Sequence, residues 1–365
     1  KRFNEIATIF NHGAIFVAIL GISLLLLLLL FSKSILVHII DSPNIFAESM
    51  EYIKFRQFGS IFVCFNYLYR SLYIGLSNTK VITYSTLLMA VVNIFLDYCL
   101  IFGKLGFPEM CIGGAALASL SAEISASIFF TIYTFFKVHL KDIKVFSRHK
   151  IEMPLLKNIL SIGAPTMVQR LLSFSAWFIF FIMIEKMGEL AIGISSIVRS
   201  AYMILIIPAM GFATTADTIV SRLIGQNKND YVMPTVKRIL LNCIICSIPL
   251  ALLSFVFPTA LVSIYTNDAD LMREAIPSIY VICLACLTMS FGSVFFESVS
   301  GTGNTRTALF LEFGVLIIYT LYILMMVNVT SHVHFVWTAE FVYGILLGII
   351  SYLYIKNADW RKKVI

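Results

Sequence analysis

Windows of about 20 apolar residues, the length that crosses a bilayer, recur ten times along this chain. They lie near 13–32, 58–77, 81–103, 113–136, 161–184, 190–221, 239–257, 276–298, 307–328 and 335–355. In lipid every peptide group must find its hydrogen-bond partner within the chain, which favours helices. The expected fold is therefore an all-α polytopic membrane bundle. Composition agrees, since 59% of the 365 residues are hydrophobic and 13% charged, whereas a soluble domain is about a quarter charged. The first run, with leucines at 24–30, is longer than a signal-peptide core and no A-x-A site follows it, so it reads as a span. The sixth window carries Pro208 and Gly211 and is expected to bend there.

The connections alternate in charge. Of the 27 Lys and Arg, 18 fall in one set: the start, Lys80, residues 137–157, Arg222 to Arg238, Arg306 and the tail. Six fall in the other set, which is acidic or mixed, and Arg70, Arg170 and Arg199 lie within spans. The net charge of +7 therefore reports topology rather than nucleic-acid binding. The positive-inside rule puts the basic set and both ends in the cytoplasm of a multi-pass plasma (inner) membrane protein.

An internal repeat runs at an offset of 226. "GLSNTK" at 75–80 meets "GTGNTR" at 301–306, Glu48 meets Glu274, and Ile53 meets Ile279. Further on the offset becomes 217, and "SAE" at 121–123 meets "TAE" at 338–340. The two halves share orientation, as in a parallel repeat about an axis along the membrane normal. The expected division is an N-lobe of four spans at 1–136, a basic cytoplasmic loop at 137–160 and a C-lobe of six spans at 161–365. The first two C-lobe spans map ahead of residue 1, so the repeat implies twelve spans with two of them missing from the N-terminal side of this chain.

Four segments carry a family resemblance: "VVNIFLDYCLIFGKLGFPEMCIGGAALAS" at 91–119, "RSLYIGLSNTK" at 70–80, "GAPTMVQR" at 163–170 and "IPAMGFATTADTIVSRLIGQ" at 207–226. They resemble the multidrug and toxic compound extrusion (MATE) transporters. The first matches an N-x-x-x-D, L-I-F-G, G-A-A-x-A-[ST] pattern of that family's fifth and sixth helices. The resemblance implies two six-helix lobes around a cavity, alternating access, and export of small amphipathic, often cationic, organic compounds against inward H⁺ or Na⁺ flow. It implies no cofactor beyond that coupling ion, and lipid rather than nucleic acid as surroundings. We expect a monomer.

Ionisable residues inside a membrane are functional candidates. Those within the spans are Asp97, Glu123, Asp217, Glu297, Glu312 and Glu340. Asp97 lies six residues before Gly103, and Ser119 six residues after Gly113, on two antiparallel helices with a short connection. They should therefore lie at similar depth, about 9 Å from the helix ends at 1.5 Å per residue. Asn93 and Glu123 are each four residues deeper, on the same faces. Four oxygen-bearing side chains thus converge, a set suited to a proton or to a hard cation such as Na⁺ at Asp97 and Asn93. At offset 226 Asn93 falls on Tyr319 and Asp97 on Ile323, so the pair belongs to one half only. By resemblance, Asn93 and Asp97 match polar positions of the family's fifth helix that take part in cation or proton coupling, and Ser119 matches a sixth-helix position where many members have Thr. The competing reading is that Asp97 pairs with Arg70 and only holds helices together. Glu297, Arg70 and Gln169 are candidate cavity-lining residues, with packing an equal alternative for Gln169. Glu312 is expected to face a cytoplasmic vestibule, Asp217 to pair with Arg222, and Pro165 to stand near the start of its helix.

Other chemistry finds little support. "CIIC" and "CLAC" lack a neighbouring His or acid and read as helix packing, all six His fall in loops or span edges, and "NVT" at 328–330 reads as incidental. No phosphate-cradling, zinc-protease or nucleophile-elbow motif is present, so an enzyme is not expected. The rival readings are a flippase for a lipid-linked oligosaccharide, which would need a cationic cavity, and a non-transporting receptor or enzyme.

Overall fold

A computed structural model of the protein describes residues 2–39, 43–136 and 152–357. The described residues fold into α-helices: α1 Arg2–Ile39, α2 Pro43–Arg56, α3 Gly59–Gly75, α4 Lys80–Ile101, α5 Cys111–Phe136, α6 Met153–Glu185, α7 Glu189–Leu205, α8 Ile207–Gly225, α9 Val232–Val256, α10 Pro258–Val262, α11 Ala269–Gly301, α12 Thr305–Val329, α13 Val333–Trp337 and α14 Ala339–Asn357. A 3₁₀ turn, Asn229–Tyr231, precedes α9. The basic loop over 137–151 and the tail beyond 357 lie outside the described residues. Among the described residues eight helical segments are long and apolar enough to cross a membrane, and α7 with α8 passes the same test as a bent pair, in the manner of a broken span or a re-entrant loop. Long apolar side chains along α1, from Ile9 to Val37, are exposed, as a lipid-facing helix requires.

The helices run further than the apolar windows. α1 has 38 residues, about 57 Å at 1.5 Å per residue, well beyond a hydrocarbon core of about 30 Å. Hydropathy reads the stretch that must be dry and not the helix that carries it. Residues 43–56, expected as a loop, form α2 instead. Glu48, Glu51, Lys54 and Arg56 had lowered its hydropathy below that of a span. The acidic stretch at 266–274 likewise enters α11, where the Asp268 carboxylate caps the backbone N–H groups of Asp270 and Leu271 at 2.9 and 3.2 Å. α6 begins at Met153, so Pro165 is in the helix interior rather than near its start. Pro165 has no N–H for the Ser161 carbonyl, a loss that membrane helices tolerate. The bend expected at Pro208 and Gly211 falls at Ile206, where α7 and α8 meet at 46°. Pro208 lies in the first turn of α8 and supplies no N–H to the Ile204 carbonyl.

The chain divides into two compact units, Lys1–Leu156 and Lys157–Ile365. The first packs α1 on α3, and α5 on α2, α3 and α4, around Phe10, Tyr69, Leu72, Tyr73 and Phe130. The Tyr73 hydroxyl and Thr134 Oγ1 meet at 2.7 Å inside it. The second is centred on α11, which packs against α7, α8, α9 and α14. A Cβ added at Gly292 of α11 would lie 2.6 Å from the Gly344 carbonyl oxygen of α14, so only a bare Cα allows this approach.

The repeat extends to the helix ends. At offset 226, Pro43 and Gly75, the outer limits of α2 and α3, fall on Ala269 and Gly301, the limits of α11. The first unit breaks at Gln57–Phe58 a helix that the second keeps whole. Hydrogen bonds from Gln57 N to the Ile53 carbonyl, and from Phe58 N to the Phe55 carbonyl, tighten the turn at that break.

Candidate functional site

The sequence places the candidate residues on α4 and α5, and small residues let these helices touch. Gly114, Ala116, Ala118, Ala122 and Ala126 are buried along α5. A Cβ at Gly114 would lie 2.7 Å from the carbonyl carbon and oxygen of Leu100 in α4. The connection is a tight loop in which Gly103 and Gly106 take φ of 61° and 84°, a region glycine enters without steric cost. Met110 N donates to the Leu100 carbonyl at 2.8 Å, fixing the register. Counting from the Gly114–Leu100 contact, Asp97 stands level with Leu117 and Asn93 with Ser121. Ser119 and Glu123 are each two residues, about 3 Å, deeper than their expected partners.

This register separates the four residues into two groups. Among the described residues no hydrogen bond joins Asn93 or Asp97 to Ser119 or Glu123. Asn93 Nδ2 and Asp97 Oδ1 are buried and have no partner. Asp97 makes no ion pair with Arg70, whose guanidinium instead faces Thr86 Oγ1 at 3.3 Å and Met89 Sδ at 3.8 Å. The helix-holding alternative for Asp97 therefore lacks its contact. Leaving a polar atom buried without a partner costs about 1–3 kcal/mol, so the two atoms together are a real expense in this helix.

Glu123 belongs to a different network. Asn66 of α3, 3% exposed, donates from Nδ2 to Glu123 Oε2 at 2.7 Å and to the Glu123 carbonyl at 3.0 Å. Ser127 Oγ donates to Asn66 Oδ1 at 2.8 Å. The sequence reading missed Asn66, although a lone amide in an apolar run, one turn from the buried Tyr69, was the available signal.

The second unit gathers the remaining candidates. Arg170 of α6 and Glu297 of α11 form an ion pair, their side chains 55% and 15% exposed. Asp217 lies within electrostatic reach of both. Gln169, expected either to line a cavity or to pack between helices, is 1% exposed and closed inside the unit. Glu312 does not face a vestibule: it is 3% exposed, and Tyr343 and Ser173 hydrogen-bond its Oε1. The Glu312 carboxyl on α12 is held here by side chains of α6 and α14. Glu340, 2% exposed, accepts from the Tyr202 and Tyr319 hydroxyls at 2.8 and 2.9 Å.

The model of the MatE family matches residues 1–99 and 165–325. The "Probable multidrug resistance protein NorM" of Thermotoga maritima is 25% identical over 275 residues, 74% of this chain and 59% of the relative. The "Probable multidrug resistance protein YoeA" of Bacillus subtilis is 23% identical over 278 residues, 75% of this chain and 60% of the relative. The chain thus spans about 60% of the length of these curated relatives. Among solved structures, a MOP superfamily transporter from Pyrococcus furiosus superposes with a TM-score of 0.85 at 19% identity, covering 99% of this chain and 81% of the other. An outward-facing multidrug resistance MATE family transporter gives 0.83 at 19% identity, covering 96% and 78%. At these identities the solved structures speak for the fold, an all-helical multi-pass membrane protein. The family model covers well over half of the residues, and the chain belongs to the MatE family.

Proposed function

We propose that this protein is a transporter, not an enzyme, that exports small amphipathic, cationic organic compounds by alternating access, driven by inward H⁺ or Na⁺. The observation that supports it is the unpartnered pair on α4, Asn93 Nδ2 and Asp97 Oδ1, one turn apart within a membrane span. A buried carboxyl without a counter-charge favours its neutral form, and a bound cation favours its ionised form. Asp97 therefore holds H⁺ in one case and Na⁺ in the other, with the Asn93 amide as a neutral neighbour that can donate or accept. Ser119 stands about 3 Å deeper on α5 than Asp97 and makes no hydrogen bond to the pair among the described residues. Glu123 acts beside it through Asn66. Ion binding shifts the packing of α4 on α5 and so biases inward- against outward-facing states. The relatives' names, both "multidrug resistance protein", support the substrate class. The protein works as a monomer in the plasma membrane, with the basic connections on the cytoplasmic side.

The flippase reading needs free cationic side chains to hold a pyrophosphate. Arg170 is already paired with Glu297, and Arg199 lies over the Phe181 ring at 5.1 Å. Among the described residues Arg70 and Arg199 form no ion pair, but they lie in different units, so neither unit gathers free guanidinium groups within its spans, which favours the antiporter.

The test is dye efflux from cells expressing the protein from its complete gene, with and without Asp97→Asn, under imposed Na⁺ and pH gradients. We expect efflux in the variant to fall at least tenfold toward the vector control, and the wild type to respond to one gradient, naming the ion. Wild-type efflux in the variant would remove Asp97 from the mechanism.

A further inference from the structure

Inside the second unit α6 and α12 touch where Ser173 Oγ meets Glu312 Oε1 at 2.6 Å. Nearer their starts the two helices part, and a cleft of about 360 Å³ opens between them, within the range of about 300–1,000 Å³ of small-ligand sites. Apart from Ser161 and Arg306 its walls are apolar, with Ala164, Pro165 and Val168 of α6 facing Leu309 and Phe310 of α12. A second cavity of about 230 Å³ shares Ser161 and Arg306 and adds Asn304 and Thr305 from the start of α12. A polar chamber and an apolar cleft therefore meet at one arginine. Val168 is 47% and Phe310 70% exposed, so the cleft opens sideways on the apolar flank of two helices long enough to cross a membrane.

We propose that these joined cavities bind one anionic phospholipid, with its phosphate at Arg306 and an acyl chain in the cleft between α6 and α12. The charge is complementary. Arg306 is exposed and, among the described residues, forms no ion pair. Lys157 stands one turn before Ser161 on the same face of α6, and it too is exposed and without an ion pair among those residues. Neither cavity is lined by an acidic residue. A guanidinium holds phosphate oxygens through two parallel N–H groups, and Thr305 adds a hydroxyl beside it.

The shape is complementary too. Ser161 and Arg306 lie together at the mouth, and Ser173 and Glu312 meet further along the same helices, so α6 and α12 run in the same direction. Val168 is seven residues beyond Ser161, about 10 Å at 1.5 Å per residue. The cleft thus leads from a charged mouth to an apolar interior that the Ser173–Glu312 contact closes. A phospholipid presents its groups in that order, phosphate first and chain after. A water-soluble phosphate would leave the apolar cleft unfilled, and the cationic compounds proposed as cargo would be repelled by Arg306 and Lys157. The site is therefore separate from the transport path, and it stands independently of Asp97 because its test reads bound lipid rather than transport.

The experiment is native mass spectrometry of the purified, delipidated full chain offered phosphatidylglycerol, phosphatidylcholine or glycerol 3-phosphate. We expect the first phosphatidylglycerol to bind about tenfold more tightly than phosphatidylcholine, the worth of one charge-assisted hydrogen bond. Arg306→Gln should abolish that preference. Ala164→Phe, which fills the cleft from an exposed position, should weaken both lipids by at least tenfold. Lys80→Gln, which removes the matching base at the start of α4, should leave the preference intact. Should Arg306→Gln fail to fold, Ala164→Phe decides. Equal affinity for the two lipids, unchanged phosphatidylglycerol binding in Arg306→Gln or in Ala164→Phe, or displacement of the lipid by glycerol 3-phosphate at equal concentration would each overturn the proposal.

Discussion

Replacing Gly114 with alanine tests the contact on which the α4–α5 site is built. The added Cβ would lie 2.7 Å from the carbonyl carbon and oxygen of Leu100, where ordinary contact begins at 3.4 Å. The obstacle is backbone, so no side-chain rotation relieves it, and the helices must part by roughly 0.7 Å in a close-packed interior. The same displacement stretches the 2.8 Å bond from Met110 N to the Leu100 carbonyl, carrying it past the usual range of about 3.2 Å. Overpacking costs about 1–3 kcal/mol and the lost bond about 0.5–1.5, while alanine returns about 1 in helix propensity. The balance is about 2 kcal/mol of destabilisation, or ~30-fold in a local opening equilibrium. Cys99, fully buried beside Leu100, reports that opening. Maleimide labelling, resolved peptide by peptide by mass spectrometry, follows the equilibrium when reclosing outpaces reaction. Gly75→Ala, with nothing within 4 Å of its Cβ, is the control and should leave Cys99 labelling within about twofold of wild type. Labelling in Gly114→Ala that matches the control would refute the close approach, and with it the register that separates Asp97 from Glu123.

Other contacts give sharper numbers for the second unit. A double-mutant cycle of Arg170→Met with Glu297→Gln should return a coupling of about 1–2 kcal/mol in reversible denaturant unfolding, between the values of exposed and buried pairs. Zero coupling would show that the half-exposed Arg170 gains nothing from the pair. Tyr202→Phe strips Glu340 Oε2 of its donor inside the core, and Tyr319→Phe does the same for Oε1; each should cost about 1–3 kcal/mol by the same unfolding measurement. Unchanged stability in both would mean that the carboxyl finds other donors.

The sequence was legible wherever one physical demand dominates. Lipid demands long apolar helices, and eight of the ten windows fall on helices that are dry over a bilayer's thickness, a ninth on the bent pair α7–α8, while 58–77 falls on α3, which has only 17 residues. The bend near Pro208 was legible because a missing N–H acts locally. α2 was not, since Glu48, Glu51, Lys54 and Arg56 disguise as a loop a helix that packs against α5. At the site, the unusual cost of an acid in an apolar run singled out Asp97 and Asn93. The partner of Glu123 was hidden because Asn66 is 57 residues away and its pairing depends on how α3 leans on α5. The same limit applied to Glu312 and Gln169. Their depth along a helix could be counted, but the face that closes over them is set by α6, α12 and α14 together.

The repeat explains why Asn93 and Asp97 are left unpartnered. Glu123 and Glu340 occupy matching places at offset 217, so a carboxyl there belongs to the common architecture of both units. Each needs donors, and the two units find them on different helices. In the first, Asn66 of α3 reaches Glu123. The matching place in the second is Gly292, bare because α11 and α14 touch there through their backbones. Glu340 takes donors instead from Tyr202 and from Tyr319, the residue that stands where the first unit has Asn93. In the second unit that position is devoted to satisfying the shared carboxyl. In the first, Asn66 does that task, and Asn93 Nδ2 with Asp97 Oδ1 is left without a partner.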